Sequence, residues 1–385
     1  MNVHPPSETT YDVIVIGGGI AGISIAYELA ASRDTLLLEK ESTLAFHTTG
    51  RSAAMFLESY GNATVRALTA ASRDFLLEPP DMFEAALTKA LPLMYVAGVG
   101  RANRLASLQR DLGATASSLV MLDAAQAAAA NGLIRPESIE AGLIEPGALE
   151  VDVHELHSGY VRGFRNRGGV IATTSGVVEA NRVHGDWVLR DADARLYTAP
   201  TAVIASGAWS DSVASLFSAR PVGIQPLRRS VFMLPSPPPV DARPMLMTID
   251  ADDRFYVKPE HAQFLCSPVD EGPQPAGDAK PDDLEISRAL DDIHTMTVAT
   301  SSHVSSSWAG QRSFTADRTP VVGFDPVVDG VFWFAGQGGY GIQLGPALAR
   351  TGATLMTQGS LPGDVSRRGV HESDLSPARF GAATS

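Results

Sequence analysis

The chain has 385 residues, 44% of them apolar and 19% charged, which supplies a sizeable core and excludes a disordered chain. A formal net charge of −13 argues against nucleic acid or anionic lipid as the main partner. The single cysteine, Cys266, excludes a disulfide framework and a cysteine-rich zinc site, and fits a reducing compartment.

The first ten residues carry no basic start, and the apolar run after them breaks at three glycines, unlike a signal peptide. No stretch reaches the roughly 18 uninterrupted apolar residues that a membrane span needs. The expectation is therefore a cytoplasmic protein without a transmembrane segment, with loose tails at 1–10 and 366–385.

Tyr11 to Ile16 is a β-branched run that ends in Gly17-Gly18-Gly19-Ile20-Ala21-Gly22 and leads into a helical pattern through Ile23, Tyr27 and Leu29. A second strand, Thr35 to Leu38, ends in Glu39. Strand, G-x-G-x-x-G turn, helix and strand make up the dinucleotide fingerprint. Gly17 permits the tight turn, Gly19 a close backbone approach to a pyrophosphate, and Gly22 close helix packing. The helix N-terminus favours the anion. Glu39, seventeen residues past Gly22, accepts from ribose hydroxyls and repels a 2′-phosphate.

The hydroxyl-rich stretch after it, with His47, Thr48, Thr49, Gly50, Arg51, Ser52 and Ala53, suits a loop and helix start around a further polar part of the cofactor. Two more strand-to-glycine junctions follow. Ala202 to Ala205 runs into Ser206-Gly207-Ala208-Trp209, and Val331 to Ala335 into Gly336-Gln337-Gly338-Gly339-Tyr340-Gly341-Ile342-Gln343 and a helix. Junctions so widely spaced imply a nucleotide domain assembled from discontinuous segments, which a simple NAD domain rarely is. Between them, Asp152 is placed to N-cap a helix through Leu156 and Tyr160. Ser230 to Leu234 and Phe255 to Lys258 read as strands separated by the Pro235–Pro239 loop.

The stretches YDVIVIGGGIAG, HTTGRSAA, YGNATVRALTAASR, QPLRRSVF, FYVKP, WAGQRSF and GQGGYGIQ resemble the glycine oxidase, sarcosine oxidase and D-amino-acid oxidase superfamily of FAD enzymes, and within it the bacterial D-arginine dehydrogenases. The resemblance implies an α/β fold. A Rossmann-like, glutathione-reductase-like FAD-binding domain would be built from 11–80, 149–219 and 306–365. A mixed β-sheet substrate domain flanked by helices would come from 81–148 and 220–305. It implies noncovalent FAD, held also by Lys40 and Val178, with no counterpart near Ser313 to Thr319 of the cysteine that tethers flavin in sarcosine oxidases.

Amine oxidation by flavin needs a carboxylate clamp, and a planar guanidinium grips a carboxylate through two parallel hydrogen bonds. Arg229 and Arg312 are the candidates, and by resemblance both match the family's carboxylate-binding arginines. The resemblance assigns Tyr256 to the same carboxylate, Tyr60 to a loop that closes over the site, and Gly339 and Gln343 to substrate or flavin contacts. The helix start after the last glycines would offset negative charge developing on the flavin.

Met55 stands where D-arginine dehydrogenases have a pocket histidine, and Leu93 aligns with the glutamate that pairs the guanidinium. With no acid between Leu87 and Gly98, apolar or neutral side chains are expected in place of arginine. The implied reaction is hydride transfer from Cα–H of a D-amino acid to flavin N5, followed by hydrolysis of the imino acid to a 2-oxo acid and ammonia. An N-methyl amine acid, a 2-hydroxy acid or a non-catalytic flavin-binding subunit are the alternatives. The electron acceptor, oxygen or a quinone, stays open. No metal is expected.

Overall fold

The computed structural model describes residues 9–112, 119–236 and 245–381. Pro237 to Pro239 of the expected proline-rich loop lie outside them. Most strands sort into two large sheets.

The six-stranded sheet has the order 170–172, 35–38, 13–16, 201–204, 331–335, 321–324, all parallel except for the last pair. Val13–Ile16, Thr35–Leu38 and Val331–Ala335 are buried at every position, as a sheet covered on both faces requires. One face packs on the helices Ile20–Leu29, Val153–Asn166 and Gly341–Gln358. Asp152 caps the second of these by accepting from the Glu155 amide at 2.8 Å. The other face meets a smaller sheet through Trp187, Leu189 and Tyr197.

The eight-stranded sheet is mixed, in the order 306–314, 225–235, 263–267, 256–260, 247–250, 93–98, 139–145, 120–123. Helix Asp283–Met296 covers one face through Ile286, Ala289 and Ile293. Ser306–Phe314, grouped above with the nucleotide-binding segments, pairs along its whole length with Gln225–Pro235 and belongs to this sheet.

Both expected tails need correction. Thr9–Thr10 form a short strand beside Leu196–Ala199. Residues 366–381 are ordered: Val370 and Leu375 are buried in the main core, and Arg379 binds Asp317 and the Thr319 and Pro320 carbonyls. Ser-Pro spacing signals a break in periodicity, not an absence of packing. Among the described residues no helix is long and apolar enough to cross a membrane.

Candidate active site

A cavity of about 540 Å³ reaches from the glycine turns of the six-stranded sheet to the face of the eight-stranded sheet. At the first strand end, Gly17 has φ +116° and donates its amide to Leu38 O at 2.8 Å. A Cβ at Gly17 would overlap the Ala205 carbonyl, and one at Gly22 would overlap the Gly17 carbonyl. The turn is closed by backbone on every side, so only glycine fits. Helix Ile20–Leu29 starts with no acidic residue in its first turn and no side-chain cap from Gly19. Gly19, Ile20 and Ala21 face the cavity, which leaves a helix N-terminus suited to an anion.

Glu39 lies on the cavity wall and holds the turn in place. Its Oε2 accepts from the Gly18 amide at 2.7 Å and its Oε1 from the Glu41 amide at 2.8 Å. The segment Thr48–Arg51 forms a 3₁₀ turn, and Thr49 Oγ1 accepts from the Ile20 amide at 3.0 Å. Thr48 Oγ1 donates to Gln311 O at 2.6 Å and Arg51 to Ala309 O at 2.8 Å. These two bonds tie the nucleotide end to the strand that carries Arg312. Gly50 is exposed and off the cavity; its amide donates to Ala45 O at 3.0 Å.

Two buried polar atoms on this wall, His47 Nδ1 and Ser206 Oγ, have no hydrogen-bond partner. His47 Nε2 lies 2.8 Å from Glu41 Oε1, and the ring sits 4.7 Å from Trp209. The hydrogen bond from His47, opposed by burial and aided by Lys40, holds the Glu41 carboxyl below its ordinary range. Lys40 Nζ stands 3.4 Å over the Trp209 ring. Orphaned buried polar groups call for a polar ligand, and the glycine cradle beside them fits a dinucleotide. Ser52, Ala53, Gly207, Gly338, Gly341 and Ile342 also line the cavity, whereas Tyr340, at the N-cap position of helix Gly341–Gln358, is buried in the core. Val178 does not line it: the side chain points to solvent at 46% exposure while Val177 takes the wall, as strand alternation requires.

The far end of the cavity brings together Met55, Tyr60, Arg229, Tyr256, Arg312, Gly339 and Gln343. Arg228 and Arg229 are neighbours on one strand, so they leave it on opposite sides. Arg228 is structural, paired at 2.7 Å with both Asp270 and Asp282. Arg229 faces the cavity, donating to Asp270 O at 3.0 Å and to Glu271 Oε1 at 3.3 Å. Burial, then the neighbouring Arg312 charge, lowers its pKa from the usual arginine value. The Arg312 side chain is 8% exposed and donates to Glu271 Oε1 at 2.8 Å and to the Tyr60 hydroxyl. A Cβ at Gly339 would overlap the Arg312 guanidinium. Burial raises the Tyr256 pKa against the pull of Arg229, so the phenol stays protonated and able to donate.

Gln343 is buried with its amide engaged: Nε2 donates to Thr69 Oγ1 at 2.9 Å, and Oε1 accepts from the Leu57 amide at 3.4 Å. Tyr60 sits on a pinned segment. The buried Glu145 carboxylate accepts from the Glu58 amide at 2.8 Å, the Ser59 amide at 3.3 Å and the Ser59 hydroxyl.

Leu93 is not on the cavity. It is fully buried one strand away, in register with Met247, and Met247, Ile249, Val231 and Leu57 form the apolar wall beside Met55. Sequence reasoning also missed Glu271 and Asp253. Asp253 lines the cavity at φ +56°, and its carboxylate has no hydrogen bond or ion pair among the described residues. Burial raises its pKa while Arg229 pulls it down. Glu84 and Glu58 pair elsewhere, with Arg162 and Arg73 at 3.4 Å. The Arg228-Arg229 and Asp270-Glu271 doublets are visible in the sequence, but only the pairing of their segments brings them together.

A glycine-lined cleft at the strand ends of a parallel sheet, open to Arg229 and Arg312 on a second sheet, suits a dinucleotide-dependent oxidoreductase. The model of the FAD dependent oxidoreductase family matches residues 12–355, and the chain belongs to that family, with FAD as its cofactor. The bovine (Bos taurus) FAD-dependent oxidoreductase domain-containing protein 1 is 24% identical over 92% of this chain and 83% of its own length. Glycine oxidase from Geobacillus kaustophilus superimposes with a TM-score of 0.79 at 19% identity, covering 98% of this chain and 99% of its own. L-proline dehydrogenase from P. horikoshii gives 0.82 at 17% identity, covering 97% and 98%.

Proposed function

We propose that the protein oxidises the Cα–N bond of an α-amino acid of D configuration with an apolar or neutral side chain. The observation that carries this reading is the convergence of Arg229, Arg312, Tyr60 and Tyr256 at the end of the flavin cavity. Solved structures with the same fold include glycine oxidase and L-proline dehydrogenase, which supports an amino acid in general. The D configuration rests on the resemblance of the sequence stretches to D-arginine dehydrogenases.

Arg312 and Arg229 would grip the α-carboxylate, with the Tyr256 hydroxyl donating to it. Tyr60 would cover the site from its pinned segment. Met55, Leu57, Val231, Met247 and Ile249 would take the side chain, which gains about 25 cal/mol per Å² buried. FAD supplies the acceptor for the hydride leaving Cα. The amine gives its proton to water, and water then hydrolyses the released imino acid to a 2-oxo acid and ammonia.

One observation favours a second reading. The Asp253 carboxylate, with no hydrogen bond or ion pair among the described residues, would match a cationic side chain. Anaerobic addition of D-Leu, D-Met, D-Phe, D-Arg, sarcosine and 2-hydroxy acids, followed by flavin absorbance, tests both. Bleaching by the apolar D-amino acids at the highest kcat/KM is the expected result. Preference for D-Arg that disappears in Asp253→Asn would establish the second reading, and bleaching by none of the panel would sink both. Acid precipitation should release free FAD into the supernatant; flavin that stays with the protein would point to a bond through His47.

A further inference from the structure

Three arginines converge on one carboxylate behind the clamp. Glu271 Oε1 accepts from Arg312 at 2.8 Å, from Arg318 at 3.2 Å and from Arg229 at 3.3 Å, and Oε2 accepts from the second Arg318 nitrogen. Arg229 and Arg312 line the cavity, while Glu271 and Arg318 stand just outside it. Glu271 is 30% exposed and its grip on the arginines is charge-assisted. Burial pushes its carboxyl up, but the Arg318 hydrogen bond and the arginine charges outweigh this and hold it below the ordinary range.

Three guanidinium groups suit two carboxylates here, because the Arg318 fork takes one and Arg229 and Arg312 together grip the other. The protein supplies one of the two itself. Arg318 is engaged by both Glu271 oxygens, which leaves the cavity faces of Arg229 and Arg312 for a single incoming carboxylate. A ligand with a second carboxylate near the first would meet Glu271 charge against charge. Discrimination of that kind arises from the repulsive element as much as from the attractive one.

We propose that Glu271 is a built-in second carboxylate that restricts the site to monocarboxylate substrates and excludes dicarboxylic ones. The proposal rests on the amino-acid reading above and sharpens it. Removing the Glu271 charge leaves three arginines short of an anion, and a dicarboxylate can then supply it.

The test compares four-carbon pairs that differ only in the second carboxylate. Butyrate and succinate are titrated into the yellow holoenzyme, and binding is read from the flavin absorbance change or the shift in Tm. D-2-aminobutyrate and D-aspartate are compared by kcat/KM. In the wild type the monocarboxylate should win in both pairs. In Glu271→Ala the succinate-to-butyrate affinity ratio should rise about tenfold or more, the size of one charge-assisted hydrogen-bonded contact. Glu271→Gln keeps the volume and one acceptor, and should move the ratio the same way by less. If Glu271→Ala does not fold, Glu271→Gln carries the comparison alone.

A ratio unchanged in the folded variants, or a parallel loss of both ligands, would overturn the proposal and leave Glu271 as a support for the arginines only. The titrations need no turnover. A wild type that binds butyrate but oxidises no amino acid would defeat the reading of function without touching this one.

Discussion

At the nucleotide end of the cavity, Gly17, Gly19 and Gly22 stand within six consecutive residues, and backbone amides and carbonyls do the shaping. At the clamp end, Tyr60 and Arg312 meet across 252 residues of chain, and charged side chains from separate segments do the shaping. The first end offers what backbone can offer, a close approach and a helix N-terminus suited to an anion. The second is adjustable one side chain at a time. An end shaped by backbone resists change, while one shaped by side chains can be retuned without refolding the protein.

The largest break should come at the glycine end. Gly22→Val drives a branched side chain into the Gly17 carbonyl, where no side-chain rotation relieves it. Overpacking ordinarily costs about 1–3 kcal/mol, and here it falls on the turn itself. The purified variant should be colourless or insoluble, and a yellow, stable Gly22→Val would refute the backbone account of this end.

Arg312→Ala should act in the opposite way, keeping the flavin and losing substrate. Truncating one partner of a buried charge pair costs about 2–5 kcal/mol, to be read as a rise in KM for a carboxylate substrate at unchanged flavin content. Unchanged steady-state parameters would remove Arg312 from the site. Gly339→Ala lies between the two ends, because its Cβ meets the Arg312 guanidinium. It should raise KM by less than Arg312→Ala while FAD stays bound, and loss of flavin would place Gly339 with the cofactor.

The smallest effect concerns the support of Tyr60. Burial raises the Glu145 carboxyl above its ordinary pKa, against the Ser59 and Glu58 hydrogen bonds that lower it. A raised carboxyl favours the folded state below the unfolded pKa, and that contribution fades as pH climbs through the folded value. The Tm of the wild type relative to Glu145→Gln should therefore fall as pH rises from about 4 through the mildly acidic range. A Tm difference between the two proteins that does not change with pH would count against it.

The contrast between the ends also explains what was legible beforehand. The three glycine junctions, the capping Asp152 and Glu39 are local patterns in which neighbours in sequence act together. The glycine junctions and Glu39 line the cavity, and Asp152 caps its helix. Arg312 could be named as a lone cation in an uncharged stretch, whereas Arg229, beside Arg228, could be named only through the family resemblance. Glu271 and Asp253 could not, because their meaning depends on which strands lie side by side. Leu93 failed for the same reason, since register with Met247 put it one strand behind the wall. Residues 366–381 were misread because short turns with a few apolar anchors show no period.

That last segment reaches the site in two steps. Arg379 holds Asp317 and the Thr319 carbonyl, and Asn62 donates to Thr319 Oγ1 at 2.8 Å while capping the helix that follows Tyr60. Anyone shortening this polypeptide to aid crystallisation, or splicing a reporter into 366–381, would be cutting a guy-rope of the segment that carries Tyr60. Alterations to this stretch should be judged by substrate affinity as well as by yield.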